Sequence, residues 1–187
     1  LHSFINKRIK FIMAYTTINK STDYFNTKLW TGTGNAQTIS GVGFQPDLSW
    51  SKGRNYDYAH QWIDSVRGIT KQLNSNDSQP EGTNANGITA FNSDGFVIGT
   101  QPEMSSNGKT FASWNWKKTA TAGFDIVSYT GNGSAGKTVA HNLGVVPQMI
   151  IVKRYNDGTA SWMVYHNKLG TTNPSDKYLS LDTTAAQ

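Results

Sequence analysis

One segment of this chain occurs twice, and the duplication constrains the fold more than any other feature. From Trp30 the sequence reads W-T-G-T-G-N-A-Q-T-I-S-G-V-G-F-Q-P-D-L, and from Tyr129 it reads Y-T-G-N-G-S-A-G-K-T-V-A-H-N-L-G-V-V-P-Q-M. The glycines and the proline recur in the same order, which favours duplication over chance similarity. A repeat of about a hundred residues is too long for a solenoid unit, so each copy is expected to be a whole sheet or small domain.

The match continues beyond the paired prolines, Pro46 and Pro147. Lys71–Asn74 in the first copy corresponds to Lys177–Ser180 in the second. The second copy then reaches only the counterpart of Gln79. We therefore expect the chain to be a fragment of a longer polypeptide.

The repeat divides the chain into two β-units. Residues 13–127 are predicted to form the first unit, and residues 128–187 a second unit that is truncated at its C-terminus. Residues 1–12 are interpreted as a non-native leader or disordered arm, because Met13 opens a normal-looking N-terminus. The alternative interpretation is a native arm that carries three basic residues.

Apolar residues follow a period of two far more often than a helical period, which indicates strands. Examples are Phe111–Lys117, Asp125–Tyr129 and Gln148–Lys153, and the turn at Asn92–Gly95 predicts a hairpin. The one helix candidate is Tyr58–Val66. With 18 glycines and many Thr, Asn and Ser residues, the chain is predicted to be all-β, an antiparallel β-sandwich of jelly-roll or lectin-like type.

Charge and cysteine content exclude several classes of protein. The net charge of +5 includes the basic residues of the doubtful N-terminal segment, so the remaining excess is too mild to predict a nucleic-acid partner. No stretch is long and apolar enough for membrane insertion, and the N-terminus lacks a signal-peptide pattern. The absence of cysteine excludes disulfides and fits synthesis in a reducing cytoplasm.

Residues Gly131–Thr138 match the phosphate-loop pattern G-x-x-x-x-G-K-T. That motif requires a helix directly after the threonine, so that backbone amides converge on the phosphate. The following segment, Val139–Pro147, is rich in β-branched residues and contains a glycine and a proline. The first copy, Gly32–Thr38, occupies the same place without the Gly-Lys pair. We interpret the motif as a decoy, a Gly-rich turn that binds no nucleotide.

Catalytic and metal-binding patterns are weak. Most acidic residues occur in polar turns, and His60 and Asp64 would share a face only if their segment were helical. His141 and His166 show no metal-ligand spacing, and Asn74–Asp77 lacks a complete calcium-loop signature. We therefore expect a non-catalytic protein without metal or other cofactor.

The aromatic residues give the remaining indication of function. Trp50, Trp114, Trp116 and Trp162 occupy strand positions and are predicted to be core residues. The tyrosines of two loops that follow equivalent strands are instead candidates for ligand binding. An aromatic face beside polar groups suits sugar recognition. The alternative is that these tyrosines pack their loops onto the sheet. The candidate ligand-binding residues are Arg54, Tyr56, Asp57, Tyr58, Tyr155 and Asp157.

Several motifs of the sequence resemble those of a family of marine bacteriophage proteins. The resemblance begins at Met13 with M-A-Y-T-T-I-N-K-S-T-D-Y-F-N-T-K and continues through G-V-G-F-Q-P-D-L, the Trp116-Lys117 pair, Y-T-G-N-G-S and L-G-V-V-P-Q-M-I-I-V-K-R. It implies a virion structural or tail-associated protein, often with repeated copies of this unit. The resemblance implies no catalytic residues at any position of this chain.

Together these observations predict a phage virion structural or tail- or fibre-associated protein that binds host-surface glycans without catalysis. The alternatives are a glycan-degrading tail enzyme and a purely structural capsid or tail decoration protein. The expected partners are other virion proteins, a host-surface glycan and further copies of the chain as a homo-oligomer. The expected location is the virion, after synthesis in the host cytoplasm.

Overall fold

The computed structural model describes residues 18–170 and 177–184, and most of the regular structure in these ranges is β-strand. Every pair of neighbouring strands is antiparallel, so the prediction of an all-β chain with antiparallel sheets is confirmed. Residues 1–12, which were interpreted as a leader or arm, lie outside the described ranges. Within those ranges, no helix has the length and apolar character needed to cross a membrane.

The described part of the chain contains twelve strands, one short α-helix and two short 3-10 turns, at Ser21–Asp23 and Ala120–Ala122. The helix α1 spans Pro102–Ser105. The strands are β1 Phe25–Thr31, β2 Gln37–Ser40, β3 Leu48–Gly53, β4 Gln61–Asp64, β5 Lys71–Asn74, β6 Gly82–Thr83, β7 Ile88–Asn92, β8 Gly95–Ile98, β9 Thr110–Trp116, β10 Met149–Val152, β11 Met163–His166 and β12 Leu179–Ser180.

The strands form three sheets. The largest has six strands in the order β1-β9-β3-β4-β5-β6, and a second sheet has the order β2-β8-β7. The third sheet, β10-β11-β12, is formed by the C-terminal part of the chain. The predicted hairpin is confirmed as β7 and β8, because Asn92 pairs with Gly95 across the Ser93–Asp94 turn.

Alternation of side chains explains how the sheets are buried. On β9, Phe111, Ser113 and Asn115 are buried, whereas the residues between them are more exposed. Successive strand residues point to opposite faces, so one face of the six-stranded sheet is the inner face. Buried residues of this face join a single hydrophobic cluster with residues of the three-stranded sheet β2-β8-β7. The buried members of that cluster are Trp30, Ile39, Val42, Phe44, Ile63, Ile88, Phe96, Ile98, Met104 and Phe111.

Two sequence-based predictions of local structure are wrong. Residues 58–66 do not form a helix but contain β4, in which Gln61 and Ile63 face the core side and pair with strand residues of β3. Residues 125–129 do not form a strand. In the first copy, the corresponding residues form β1, which pairs with β9. No described strand lies beside residues 125–129. A strand without a neighbour leaves its backbone groups without sheet hydrogen bonds.

The three-stranded sheet β10-β11-β12 packs on the six-stranded sheet through one tryptophan. Trp162, just before β11, is 2% exposed, and its ring centroid lies 5.1 Å from that of Trp62 on β4. Its indole N–H points to the carbonyl oxygens of Asn74 and Asp77, at 3.0 and 3.2 Å. The amide of Ala160 donates to the nearby Ser78 carbonyl. The side chain and backbone together fasten the third sheet to the β5–β6 loop.

The duplicated segment keeps its turns in both places but its strands only in the first. Gly34 and Gly133 both have positive φ, as do Gly43 and Gly144, a conformation that glycine adopts without a Cβ penalty. Residues 130–148 contain bends and turns but no strand. The two copies of the segment therefore share their bends but not their strands.

Candidate functional site

The first predicted binding loop, Arg54–Tyr58, folds back onto the sheet after β3. The Tyr56 hydroxyl donates to the Pro102 carbonyl at 2.8 Å, and its ring meets the buried Phe111 edge-on at 5.5 Å. Burial raises the pKa of the Tyr56 hydroxyl. Gly53 leaves room for this ring, since a Cβ there would lie 2.8 Å from it. Tyr56 thus anchors the loop to the sheet instead of presenting a free aromatic face.

The remaining residues of that loop do not converge on a common point. Arg54 and Asp57 are exposed, and the ring of Tyr58 meets Tyr56 edge-on with centroids 4.3 Å apart. The Arg54 amide donates to the Thr110 carbonyl at 2.7 Å, which ties the loop to the start of β9. The arrangement is that of a packed loop with two exposed charges.

The second predicted loop lies elsewhere. The Tyr155 hydroxyl hydrogen-bonds the Ser128 hydroxyl at 2.8 Å, and its backbone carbonyl accepts from the Glu81 amide at 2.8 Å. Asp157 is exposed and lies 3.6 Å from the Arg154 guanidinium. In the described ranges, no hydrogen bond, ion pair or ring contact joins this loop to Arg54–Tyr58. The six predicted residues therefore do not form one site.

The segment Gly131–Thr138 lacks the element that a phosphate loop requires. Gly133 and Gly136 both have positive φ and form an exposed turn. The residues that follow, 139–148, contain no helix. Without a helix N-terminus, the backbone amides are not collected around a single anion.

The sequence prediction placed the β3 and β9 tryptophans in the core, and this is wrong. Trp50, Trp114 and Trp116 lie on the outer face of the six-stranded sheet, which we define as the face that points away from the hydrophobic cluster. On β9 the core side is occupied instead by the buried residues Phe111 and Asn115. Trp162 is buried, but between the third sheet and the first, not in the main core.

Strand pairing arranges three of these side chains in one row across the outer face. Trp50 of β3 pairs with Trp114 of β9 on one side and with Trp62 of β4 on the other. The ring centroids are 5.9 Å apart for Trp114 and Trp50, and 5.3 Å apart for Trp50 and Trp62. Directly opposed residues of antiparallel strands bring their side chains into contact. We call Trp114, Trp50 and Trp62 the tryptophan row.

Aromatic neighbours cover part of the row. Trp162 packs on Trp62 and closes that end. Beside the row, Trp116 contacts Phe25 at 4.9 Å and Phe124 at 6.0 Å between ring centroids. Trp162 therefore shields the outer face over β4, and Phe25 and Phe124 shield it over the end of β9.

The opposite end of the tryptophan row is open. Trp114 is 36% exposed, and Leu29 on the neighbouring edge strand β1 is 62% exposed. The indole N–H of Trp50 donates to the Ser75 hydroxyl at 2.8 Å, which holds that ring in place. The open part of the face thus combines fixed indole rings with access from solvent.

A lysine borders the open part of the row. Lys52 lies two residues from Trp50 along β3, on the same face, and pairs with Ala112 of β9. Burial lowers the pKa of His60, with a further contribution from the Lys52 charge that exceeds the opposing effect of Asp57. His60 is therefore predominantly neutral at neutral pH, whereas Lys52 supplies positive charge beside the indoles.

The buried carboxylates of this sheet are engaged in ion pairs. Both oxygens of Asp64 accept from Arg67, including a 2.7 Å bond from the guanidinium Nε, and Arg67 also reaches Glu81 at 3.1 Å. Lys71 lies 3.6 Å from Glu81. These groups stabilise the β4–β5 turn. In the described ranges, no group of three or more His, Cys, Asp or Glu residues is arranged to hold a metal ion.

The signal for the tryptophan row was present in the sequence but ambiguous. Alternation at Leu48 and Trp50, and at Ala112, Trp114 and Trp116, correctly indicates side chains that share a face. A period of two defines two faces without saying which one is buried. The assignment depends on which residues the second sheet covers.

Comparison with known proteins identifies a family but no named relative. No curated protein and no solved structure matches this chain. A family model described as a domain of unknown function, DUF7483, matches residues 20–187, a range that includes all twelve strands and the tryptophan row. The chain therefore belongs to the DUF7483 family.

Proposed function

We propose that this chain is a non-catalytic glycan-binding module of a phage virion, associated with a tail or fibre. The observation that carries the glycan part is the tryptophan row, in which Trp114 is open to solvent while Trp50 is held by its hydrogen bond to Ser75. The binding face is the outer face of the sheet and replaces the two tyrosine loops as the favoured location.

The physical argument rests on the shape and polarity of a sugar ring. A pyranose has an apolar face that an indole ring can cover, and a rim of hydroxyl groups that remain hydrated or meet polar side chains. Aromatic side chains provide a large contact area and fixed geometry at low conformational cost. A row of indoles on a sheet offers consecutive contacts without an induced change, because the strands already hold the spacing.

We also propose a lectin-like or jelly-roll β-sandwich with an internal repeat as the finer description of the fold. The shared cluster between the six-stranded sheet and β2-β8-β7 supports the sandwich. The order β10-β11-β12 repeats the order β3-β4-β5, each antiparallel, and supports the repeat. Residues 13–127 and 128–187 are the proposed units.

The non-catalytic part of the proposal is supported by the carboxylates. Asp64 and Glu81 share Arg67, so both carboxylates are held in ion pairs that stabilise the β4–β5 turn. The virion part, including other virion proteins and further copies of the chain as partners, rests on the sequence resemblance.

A glycan array with the purified chain tests this function, followed by tryptophan fluorescence titration of each hit. We expect binding that Trp114→Ala weakens by about tenfold or more, since one well-placed aromatic contact contributes of that order. The matched control is Tyr129→Ala, which removes an exposed aromatic side chain that belongs to no strand of the six-stranded sheet and should leave affinity unchanged. An array without binding would overturn the glycan function and favour a purely structural virion role.

A further inference from the structure

The open part of the outer face has a cation with no protein counter-ion. Lys52 is half-buried beside Trp50, and in the described ranges no ion pair or hydrogen bond of its ammonium group is formed. A lysine can bury its aliphatic stem along apolar surface while its ammonium group stays in water, so this group is accessible to an acceptor on a ligand. The structure therefore has a positive group at a place where a ligand acceptor would be favourable.

The cross-strand neighbours of Lys52 on the side of β9 and β1 are apolar. Ala112 is its neighbour on β9, and Leu29 follows on β1 in the same row across the sheet. On the other side lies His60, whose pKa is lowered. The exposed acid nearby is Asp57, which belongs to the loop beyond β3 and acts electrostatically on His60.

We propose that the outer face binds an acidic saccharide, with a sugar ring on Trp114 and Trp50 and its carboxylate at Lys52. This inference rests on the proposed glycan binding and adds the chemical class of the ligand. Residues two apart on a strand are separated by roughly 6.5–7 Å. A single sugar residue with a carboxylate substituent can therefore span from the indoles to the ammonium group.

The sign of the net charge of the whole chain also favours an acidic ligand. The net charge is +5, of which three positive charges belong to residues 1–12, so the remaining excess has the sign that favours an anionic ligand but is small. Aromatic contact without charge would bind neutral and acidic sugars alike. Lys52 is the group that distinguishes the two classes.

The test uses matched pairs of neutral and acidic saccharides: lactose against sialyllactose, and malto-oligosaccharide against oligogalacturonate. Affinities are measured by isothermal titration calorimetry on the wild type and on Lys52→Gln, Lys52→Arg and Lys168→Gln. Lys168→Gln is the matched control because it removes the same charge from an exposed position after β11. Circular dichroism of each variant establishes that it is folded.

We expect the acidic member of at least one pair to bind about tenfold more tightly than the neutral member. Lys52→Gln should abolish this preference, whereas Lys52→Arg and Lys168→Gln should retain it, and added salt should weaken only the acidic ligand. Equal binding within each pair, or a preference that survives Lys52→Gln, would overturn the inference and leave glycan binding intact. Absence of binding for all four saccharides would overturn the inference, and the glycan array separately decides the proposed function.

Discussion

Two regions of this molecule have the same strand order but differ in what covers them. In β3-β4-β5 and in β10-β11-β12, three successive antiparallel strands lie side by side. In the first region the core-facing side lies against the sheet β2-β8-β7, and Ile63 is 1% exposed. In the second region Ile150, which like Ser49 stands three residues after a proline, is 42% exposed. Strand order is therefore shared, and burial is not.

The difference shows that a three-stranded meander can be specified by local sequence while its packing is specified elsewhere. Short connections and alternating residues are sufficient to place neighbouring antiparallel strands. Burial of a face requires a second layer. For the first region that layer comes from β2, β7 and β8, which lie outside the meander in the sequence, and among the described residues nothing equivalent covers Ile150 and Val152.

The turns before the two meanders show a similar contrast. In the first region, the Asp94 carboxylate accepts from the amides of Gly41 and Gly43, at 2.9 and 2.7 Å. In the second region, the amide of Asn142 donates to Asp125 at 2.7 Å. Each turn is held by one aspartate. The first aspartate comes from the hairpin that covers the core, and the second comes from the preceding chain.

The largest effect is expected from Trp162→Ala, which removes the aromatic contact between the two regions. The variant loses a 2% exposed ring and its hydrogen bonds to the β5–β6 loop, and substitutions of this kind reduce the free energy of unfolding by about 3–5 kcal/mol. Urea unfolding measures the loss, and limited proteolysis should show faster cleavage in residues 149–170.

Tyr129→Ala is the control for this variant, because Tyr129 is an exposed aromatic residue of the proposed second unit, residues 128–187. Its free energy of unfolding should change by less than about 0.5 kcal/mol. If Trp162→Ala behaved like this control, the third sheet would not depend on the tryptophan contact.

An intermediate effect is expected from a matched pair of isoleucine truncations. Ile63→Ala opens a cavity between two sheets and should cost about 2–5 kcal/mol, whereas Ile150→Ala on the exposed face should cost less than about 1 kcal/mol. Thermal and urea unfolding of both variants measure the difference. Equal losses would mean that the face of the second meander is covered in solution, and would remove the main contrast between the regions.

The smallest effect is expected from the pH dependence of the turn at Asp94. The amides of Gly41 and Gly43 lower the pKa of this carboxyl below its ordinary value of 3.8; burial opposes them, and the Lys28 charge adds a lesser lowering effect. Because the folded pKa is depressed, the stabilisation is fully present above the unfolded pKa and is lost as pH falls through the folded pKa.

Asp94→Asn should therefore reduce Tm at neutral pH and flatten its fall between neutral pH and about pH 2. The pKa of Asp125 is also lowered: burial acts to raise it, but the amides of Asn142 and Ile126 and the nearby Lys118 outweigh that effect. Asp125→Asn tests the corresponding turn of the second region. An Asp94→Asn profile parallel to that of the wild type at all pH values would show that this carboxylate does not stabilise the turn.

Particular residues show what could be predicted about the candidate site. Alternation correctly predicted the strand at Phe111–Trp116, and the Asp-Gly pair correctly predicted the β7–β8 turn. The loop tyrosine Tyr56 was selected because it stands among polar residues, but the adjacent Gly53 lets it fold onto Phe111. That contact joins residues distant in sequence, and no local pattern encodes it.

The sequence by itself determined the antiparallel all-β class of this protein, its glycine bends and several of its strands, among them β9. The alternation of side chains and the positive φ angles of glycines depend on only a few neighbouring residues, so both can be predicted from the local sequence. The tertiary structure alone decided that Trp50 and Trp114 lie outside the core and form a row with Trp62. The physical reason is that a strand has two equivalent faces, and the one that is buried is chosen by the sheet that packs against it.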